Sequence, residues 1–229
     1  GEFEEVDRTE YFDGVPTPLA RYIKENLSNV EYTVPVYKKY FPIISNTLDS
    51  KEPILIEDQQ NIIETTNDYF KMVPYEWLAG NRQQALQNPN EVVLTASRAK
   101  RYFPNLDAKD IVGKTLMYDT VMFSIAGVVK DLEHPSSFLD KEFMNVSAKD
   151  WNSENWQTFM SDYTLYIQLK DWKNKSVFVA QASKKVFEMN KEDFIESGSK
   201  TGIGITPLTD VHFDENLQGS TNIKILYGL

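Results

Sequence analysis

The chain has 229 residues, with 34 Asp and Glu against 24 Lys and Arg for a formal net charge of −10. That balance, with the basic residues scattered, excludes a protein built to grip nucleic acid, which needs clustered Lys and Arg to displace counterions from the phosphates. The lack of cysteine excludes disulfides, thiolate metal sites and a cysteine nucleophile, and no run approaches the ~20 apolar residues of a membrane span. At 41% hydrophobic and 13% aromatic, the sequence can build a packed core.

Residues 1–14 are acidic and aperiodic, a flexible lead or stalk. Thr17 and Pro18 supply an N-cap and a first-turn proline, and Leu19, Tyr22, Ile23 and Leu27 form a helical stripe behind them. Val30, Tyr32, Val34 and Val36 alternate as a strand in which Pro35 argues for a sheet edge. Ile54 to Ile56 and Ile62 to Thr66 are further strands, Asp68 to Val73 a short helix, and Tyr75, Trp77 and Leu78 lead to a turn at Gly80-Asn81.

Glu91 to Leu94 is an apolar run suited to a buried strand, and Thr95 is placed as the N-cap of a helix over Ala96 to Phe103 that Pro104 stops. Gly113 and Lys114 turn the chain into a hairpin of Thr115 to Tyr118 and Val121 to Val129, with a tight turn near Asp119 and Thr120. Glu133 to Ser137 reads as a loop, Phe143 to Val146 as a short strand, and Asp162 to Leu169 as a strand from its clean alternation. Lys175 to Asn190 is a second long helix with Val179, Ala182, Val186 and Met189 on one face. Ile203 to Ile205 is a last strand before Pro207, and from Asn222 the tail becomes apolar. The outer segments together make an α+β layer into which the middle stretch is inserted, with boundaries near Asn81 and Ser137.

The search for chemistry gives no active site. Gly113-Lys114-Thr115 echoes the end of a phosphate-binding loop, but Ala108 stands where the first glycine is required, so it reads as a turn. Gly198, Gly202 and Gly204 miss the dinucleotide spacing, with Pro207 in the place of the third glycine. Asp210, His212 and Asp214 form the nearest thing to a ligand triplet, and His134 beside Ser136 and Ser137 lacks any nucleophile elbow. Arg98, Lys100 and Arg101 read as a solvated helix face, and Trp151, Trp156 and Trp172 as either an aromatic groove or a hydrophobic anchor. No catalytic, cofactor-binding or metal-ligating residue is therefore assigned.

Five blocks in order, "DYFKMVPYEWLAGN", "VVLTASRAKRYF", "IVGKTL", "FSIAGVVKDLEHPSSF" and "ITPLTDVHF", cover roughly residues 66–215. This ordered set resembles the MacB-like periplasmic core domain, the extracytoplasmic module of permease subunits in MacB/FtsX-type ABC transporters. The resemblance implies a two-lobed α+β fold: a discontinuous porter-like α/β subdomain (15–80 and 138–215), an inserted, mostly-β Sabre-like subdomain (81–137), and a tail (216–229) toward a membrane span. It implies a non-catalytic domain on the periplasmic side of an inner-membrane protein, coupling ATP-driven motion to substrate efflux or to gating of a partner. A second permease copy, a cytoplasmic ATPase, and a periplasmic adaptor with an outer-membrane channel are its implied partners, without cofactor and without nucleic acid. Trp77, Gly80, Phe138 and Phe143 are the expected packing residues at the lobe junction. A secreted hydrolase acting through Asp210, His212 and Asp214, or a carbohydrate- or peptide-binding module using the tryptophans, is the alternative.

Overall fold

The computed structural model describes residues 14–46, 54–132, 138–197, 202–207 and 222–225. In chain order the elements begin with β1 (Val15–Pro16), α1 (Pro18–Asn26), β2 (Val30–Asn46), β3 (Leu55–Thr65), α2 (Tyr69–Met72) and β4 (Trp77–Gly80). Next come β5 (Glu91–Thr95), α3 (Ala96–Tyr102), α4 (Ala108–Ile111), β6 (Thr115–Tyr118), β7 (Val121–Val129), β8 (Glu142–Asn145) and α5 (Ala148–Trp151). The chain closes with β9 (Phe159–Met160), β10 (Tyr163–Leu169), a 3-10 turn at Trp172–Asn174, α6 (Lys175–Met189), α7 (Lys191–Ser197), β11 (Gly204–Pro207) and β12 (Asn222–Ile225). The fold is mixed α and β, as the sequence implies. It divides into two compact units, residues 1–33 with 154–229 and residues Val34–Ser153. The sequence-derived lines near Asn81 and Ser137 both fall inside the second unit, whose strands from β3 to β8 share one sheet.

In the first unit β12 lies between β10 and β11 and is parallel to both. Helix α1 buries Leu19, Ala20 and Ile23, and α6 buries Phe178, Ala182 and Val186, the stripes their helical spacing dictates. Trp156 is 3% exposed and meets Tyr22 edge-on at 6.1 Å, so it is packed inside this unit and not displayed as part of an aromatic groove. Asn190 fixes that packing by donating to the carbonyls of Trp156 and Val186.

The second unit is a closed barrel. β2 pairs antiparallel with β3, β3 parallel with β8, β8 antiparallel with β5, β5 parallel with β7, β7 antiparallel with β6, and β6 antiparallel with β2, which completes the ring. Closure removes the sheet edges that would otherwise need covering. β4 adds antiparallel to β7 outside the ring. The period-2 alternation sends Ile44, Ile62, Val92, Leu94, Leu116, Phe123, Ile125 and Met144 into one core, where Tyr102 and Phe103 and, from α4, Ile111 join them. The opposite face of β8 carries Phe143, which is 5.1 Å from Tyr69, 5.2 Å from Phe70 and 5.4 Å from Tyr75. Strand β8 is thus buried on both faces.

Two local expectations need correction. β2 continues through Lys38 to Asn46, well past the alternating valines, with Ile44 and Asn46 buried near its end; the register shift against β3 between Lys39 and Phe41 is taken up by an extra residue on β3 between Ile62 and Gln59. Thr95 precedes α3 in an extended conformation but its side chain makes no cap hydrogen bond. The Ser97 N–H donates instead to the Asp131 carboxylate at 2.7 Å.

Candidate functional site

The most unusual chemistry of the second unit lies within its barrel. Glu142, with 0% exposure, opens β8 at an inward position opposite Leu94 and Ile62. Its Oε1 accepts from the Tyr102 hydroxyl at 2.7 Å and its Oε2 from the Tyr118 hydroxyl. Arg98 Nη1 approaches Oε1 at 3.2 Å as an ion pair, while Nη2 donates to the Gln60 carbonyl at 2.8 Å. Arg98 and Tyr102 are one helical turn apart on α3, so one short helix aims both a cation and a phenol at the carboxylate. Tyr118 comes from β6, and the backbone of Tyr102 is itself fixed by Asn46, whose amide donates to its carbonyl at 2.8 Å.

Burial pushes the Glu142 carboxyl above the ordinary carboxylate range, with Arg98 and the two phenols pulling it only partly back. Burial, then the adjacent Glu142 charge, pushes the phenols of Tyr102 and Tyr118 well above their usual range, so both stay protonated donors. The carboxylate is engaged by two hydroxyls and a neighbouring guanidinium and has no exposed surface, so it faces its own barrel partners. The arrangement ties α3, β6, β3 and β8 together.

A second charged cluster faces α5. Lys39 Nζ is 2.8 Å from Asp150 and 3.2 Å from Glu64, and the Ser147 N–H donates to Glu64 at 3.2 Å. Burial works against the charged Lys39, but its bond to Asp150 and the charge of Glu64 leave the ammonium pKa raised. Burial raises the Glu64 pKa; burial also opposes ionisation of Asp150, yet the bond from Lys39 leaves that carboxyl lowered. Ser147, whose hydroxyl accepts from the Asp150 N–H at 3.1 Å, is the N-cap of α5 and not a nucleophile.

The residues singled out in the sequence are dispersed or differently employed. Gly113 sits at φ +85° in a turn, its N–H donating to Ile125, so no phosphate cradle forms there. Asp210, His212, Asp214, His134, Ser136 and Ser137 lie outside the described residues. Among the described residues no group of three His, Asp or Glu side chains is placed to hold a metal. Lys100 and Arg101 are exposed as expected of a solvated helix face, but Arg98 is 8% exposed and spent on Glu142. Trp77, Gly80, Phe138 and Phe143 all fall within the second unit, in or beside the aromatic cluster: Trp77 is 5.1 Å from Phe70, and Phe138 is 6.2 Å from Tyr69. Sequence reasoning missed Glu142. Its signal was an acidic residue directly before Phe143-Met144 in a strand whose neighbours are apolar.

The MacB-like periplasmic core domain model matches residues 3–185. Three solved structures share the fold at low identity. A domain assigned to a permease protein of Porphyromonas gingivalis superposes with a TM-score of 0.54 at 20% identity, over 79% of this chain and 78% of that one. The periplasmic region of MacB from Actinobacillus actinomycetemcomitans gives 0.52 at 16%, over 87% and 82%. The extracellular domain of the noncanonic ABC-type transporter YknZ from Gram-positive bacteria gives 0.51 at 10%, over 83% and 94%. No curated protein matches the chain in sequence. With a family model covering most of its length, and a fold shared with transporter domains, the chain belongs to the MacB-like periplasmic core domain family.

Proposed function

We infer that this chain is the extracytoplasmic part of an ABC-transporter permease and that it works without chemistry of its own, passing ATP-driven motion of the membrane part to substrate efflux or to a gated partner. The family match over residues 3–185 carries this reading. The barrel supports it physically, because motion is transmitted only through packed elements with discrete arrangements. A ring closed by backbone pairing and pinned by Glu142 to three further elements is such a body. The aromatic cluster of Trp77, Phe138 and Phe143, with Gly80 at the end of β4, stiffens its outer wall. In this reading two permease copies act as a pair, a cytoplasmic ATPase drives them, and a periplasmic adaptor receives the motion.

The test is made on the complete permease reconstituted with its ATPase. Spin labels at Lys100 of both copies report inter-copy distance, and labels at Lys100 and Glu57 of one copy report the barrel itself; all these positions are exposed. A non-hydrolysable ATP analogue is expected to shift the inter-copy distance and leave the barrel distance fixed. An inter-copy distance indifferent to nucleotide would overturn the reading, as would a barrel that deforms.

A further inference from the structure

The outer wall of the barrel carries an apolar row that its interior does not explain. Leu55 pairs with Ser45, Ser45 with Met117, and Met117 with Met122, so four directly opposed residues on β3, β2, β6 and β7, three of them apolar, share one face. This face points away from the core, because the residues next along these strands, Ile44, Ile56, Leu116 and Phe123, are the ones that fill it. Leu55 is 64% exposed and Met122 53%, and Ile43, one pleat along β2 on the same face, is 47% exposed. Exposed aliphatic residues scattered singly are ordinary, but a row running across four strands marks a contact surface. Methionine suits such a surface, since its unbranched, polarisable side chain adapts to its partner.

The border of the row is acidic. Glu57 is paired with Ile43 across β2 and β3 and is exposed. Asp119, also exposed, lies beside Ile43 on the other side, its carboxylate accepting from the Ile43 N–H at 3.1 Å. Two carboxylates flanking an aliphatic strip select among occupants. A second copy would bring the same carboxylates together on a chain of net charge −10, and an anionic lipid surface would meet the same repulsion. A segment with the opposite rim meets attraction.

We propose that the face formed by Ile43, Leu55, Met117 and Met122, bordered by Glu57 and Asp119, docks a partner protein presenting an aliphatic ridge flanked by Lys or Arg. A strip of this width is small beside a permanent interface, so the contact is a transient one, strengthened when both proteins are held at one membrane. The assignment rests on the barrel surface alone and stands independently of whether the chain couples to an ATPase.

The probes are two synthetic amphipathic helical peptides with the same Leu ridge, one flanked by Lys and one by Glu, titrated into the isotopically labelled chain. The Lys-flanked peptide is expected to shift the amide signals of residues 43–45, 55–57 and 117–122, and its affinity to fall about tenfold in the double variant L55S/M122S. E57K is expected to weaken the Lys-flanked peptide and strengthen the Glu-flanked one. Both changes lie at exposed positions, so an unchanged amide spectrum elsewhere confirms that the fold is kept. The proposal is overturned if the shifts map to another face, if L55S/M122S binds as the parent does, if both peptides bind alike, or if this face self-associates or binds anionic vesicles in preference to the Lys-flanked peptide.

Discussion

Arg98 and Glu142 stand 3.2 Å apart inside the barrel, the carboxylate with no exposed surface and the guanidinium at 8%. At this burial each charge depends on the other. Removing one partner leaves an ion without its counter-charge, which costs several times what the pair itself contributes. Arg98→Met and Glu142→Leu are each expected to lower the unfolding free energy by about 3–5 kcal/mol, read from urea denaturation. The double variant R98M/E142L is expected to lose clearly less than the sum of the two, though not to recover fully, since the hydroxyls of Tyr102 and Tyr118 remain buried without their acceptor. Strictly additive losses would show that the two charges do not interact.

The same site gives the domain a pH dependence of defined sign. Burial holds the folded Glu142 carboxyl above its ordinary 4.5, so the folded chain binds that proton more tightly than the unfolded chain does. Stability from this group is complete below 4.5 and is lost as pH rises through the folded value. Glu142→Gln cannot titrate, and every other group is common to both proteins. The wild type's margin over E142Q is therefore expected to shrink as the pH climbs from about 4 to about 7, in paired denaturation curves. A margin that widened over that range would mean that Arg98 and the phenols more than offset burial.

Asp131 titrates in the opposite sense. Burial works against its charge, but the bonds from Lys141 and Ser97 outweigh it and hold the carboxyl below its ordinary 3.8. Its contribution is present above 3.8 and disappears as pH falls through the lower folded value. The carboxylate takes the N–H of Ser97 at 2.7 Å and its hydroxyl at 2.6 Å, capping α3 from the far end of β7. Asp131→Ala is expected to cost about 1 kcal/mol at neutral pH, and Asp131→Asn, which keeps an acceptor, less. Equal losses in both variants would place the effect in the Lys141 ion pair and not in the cap.

How much of this was legible beforehand follows from the range of each interaction. Helices α1 and α6, the hairpin of β6 and β7, and strand β10 announce themselves through local periodicity, and the structure places them within a residue or two of expectation. The parallel pairing of β3 with β8 joins segments about eighty residues apart, and neither carries a mark of the other, so the closing of the barrel could not be read. Thr95 looked like a cap because a cap is judged by adjacency, whereas Asp131 does the work from 34 residues away. Arg98 looked solvated beside Lys100 and Arg101 because charge in a sequence does not say which turn of a seven-residue helix faces inward. The irregularity between β2 and β3 lies on β3, which advances three residues from Ile62 to Gln59 while β2 advances two from Lys39 to Phe41, and no pattern within either strand alone records it.

Gly127 and Trp77 set a last test across β4 and β7. A Cβ built on Gly127 would lie 2.4 Å from the Trp77 ring carbon Cζ3 and 3.2 Å from the Ala79 carbonyl, so the indole lies where any side chain at 127 would go. Phe70 packs edge-on against the ring at 5.1 Å. Gly127→Ala is expected to cost about 1–3 kcal/mol through overpacking, and Trp77→Leu about 2–3 kcal/mol through lost burial. In W77L/G127A the smaller side chain makes room for the added methyl, and the combined loss is expected to fall short of the sum by about 1 kcal/mol or more. Near-UV circular dichroism of the single variants would follow the displaced indole. If instead the losses add, the glycine is required by the approach of the Ala79 carbonyl, and the constraint lies between backbones whatever ring occupies position 77.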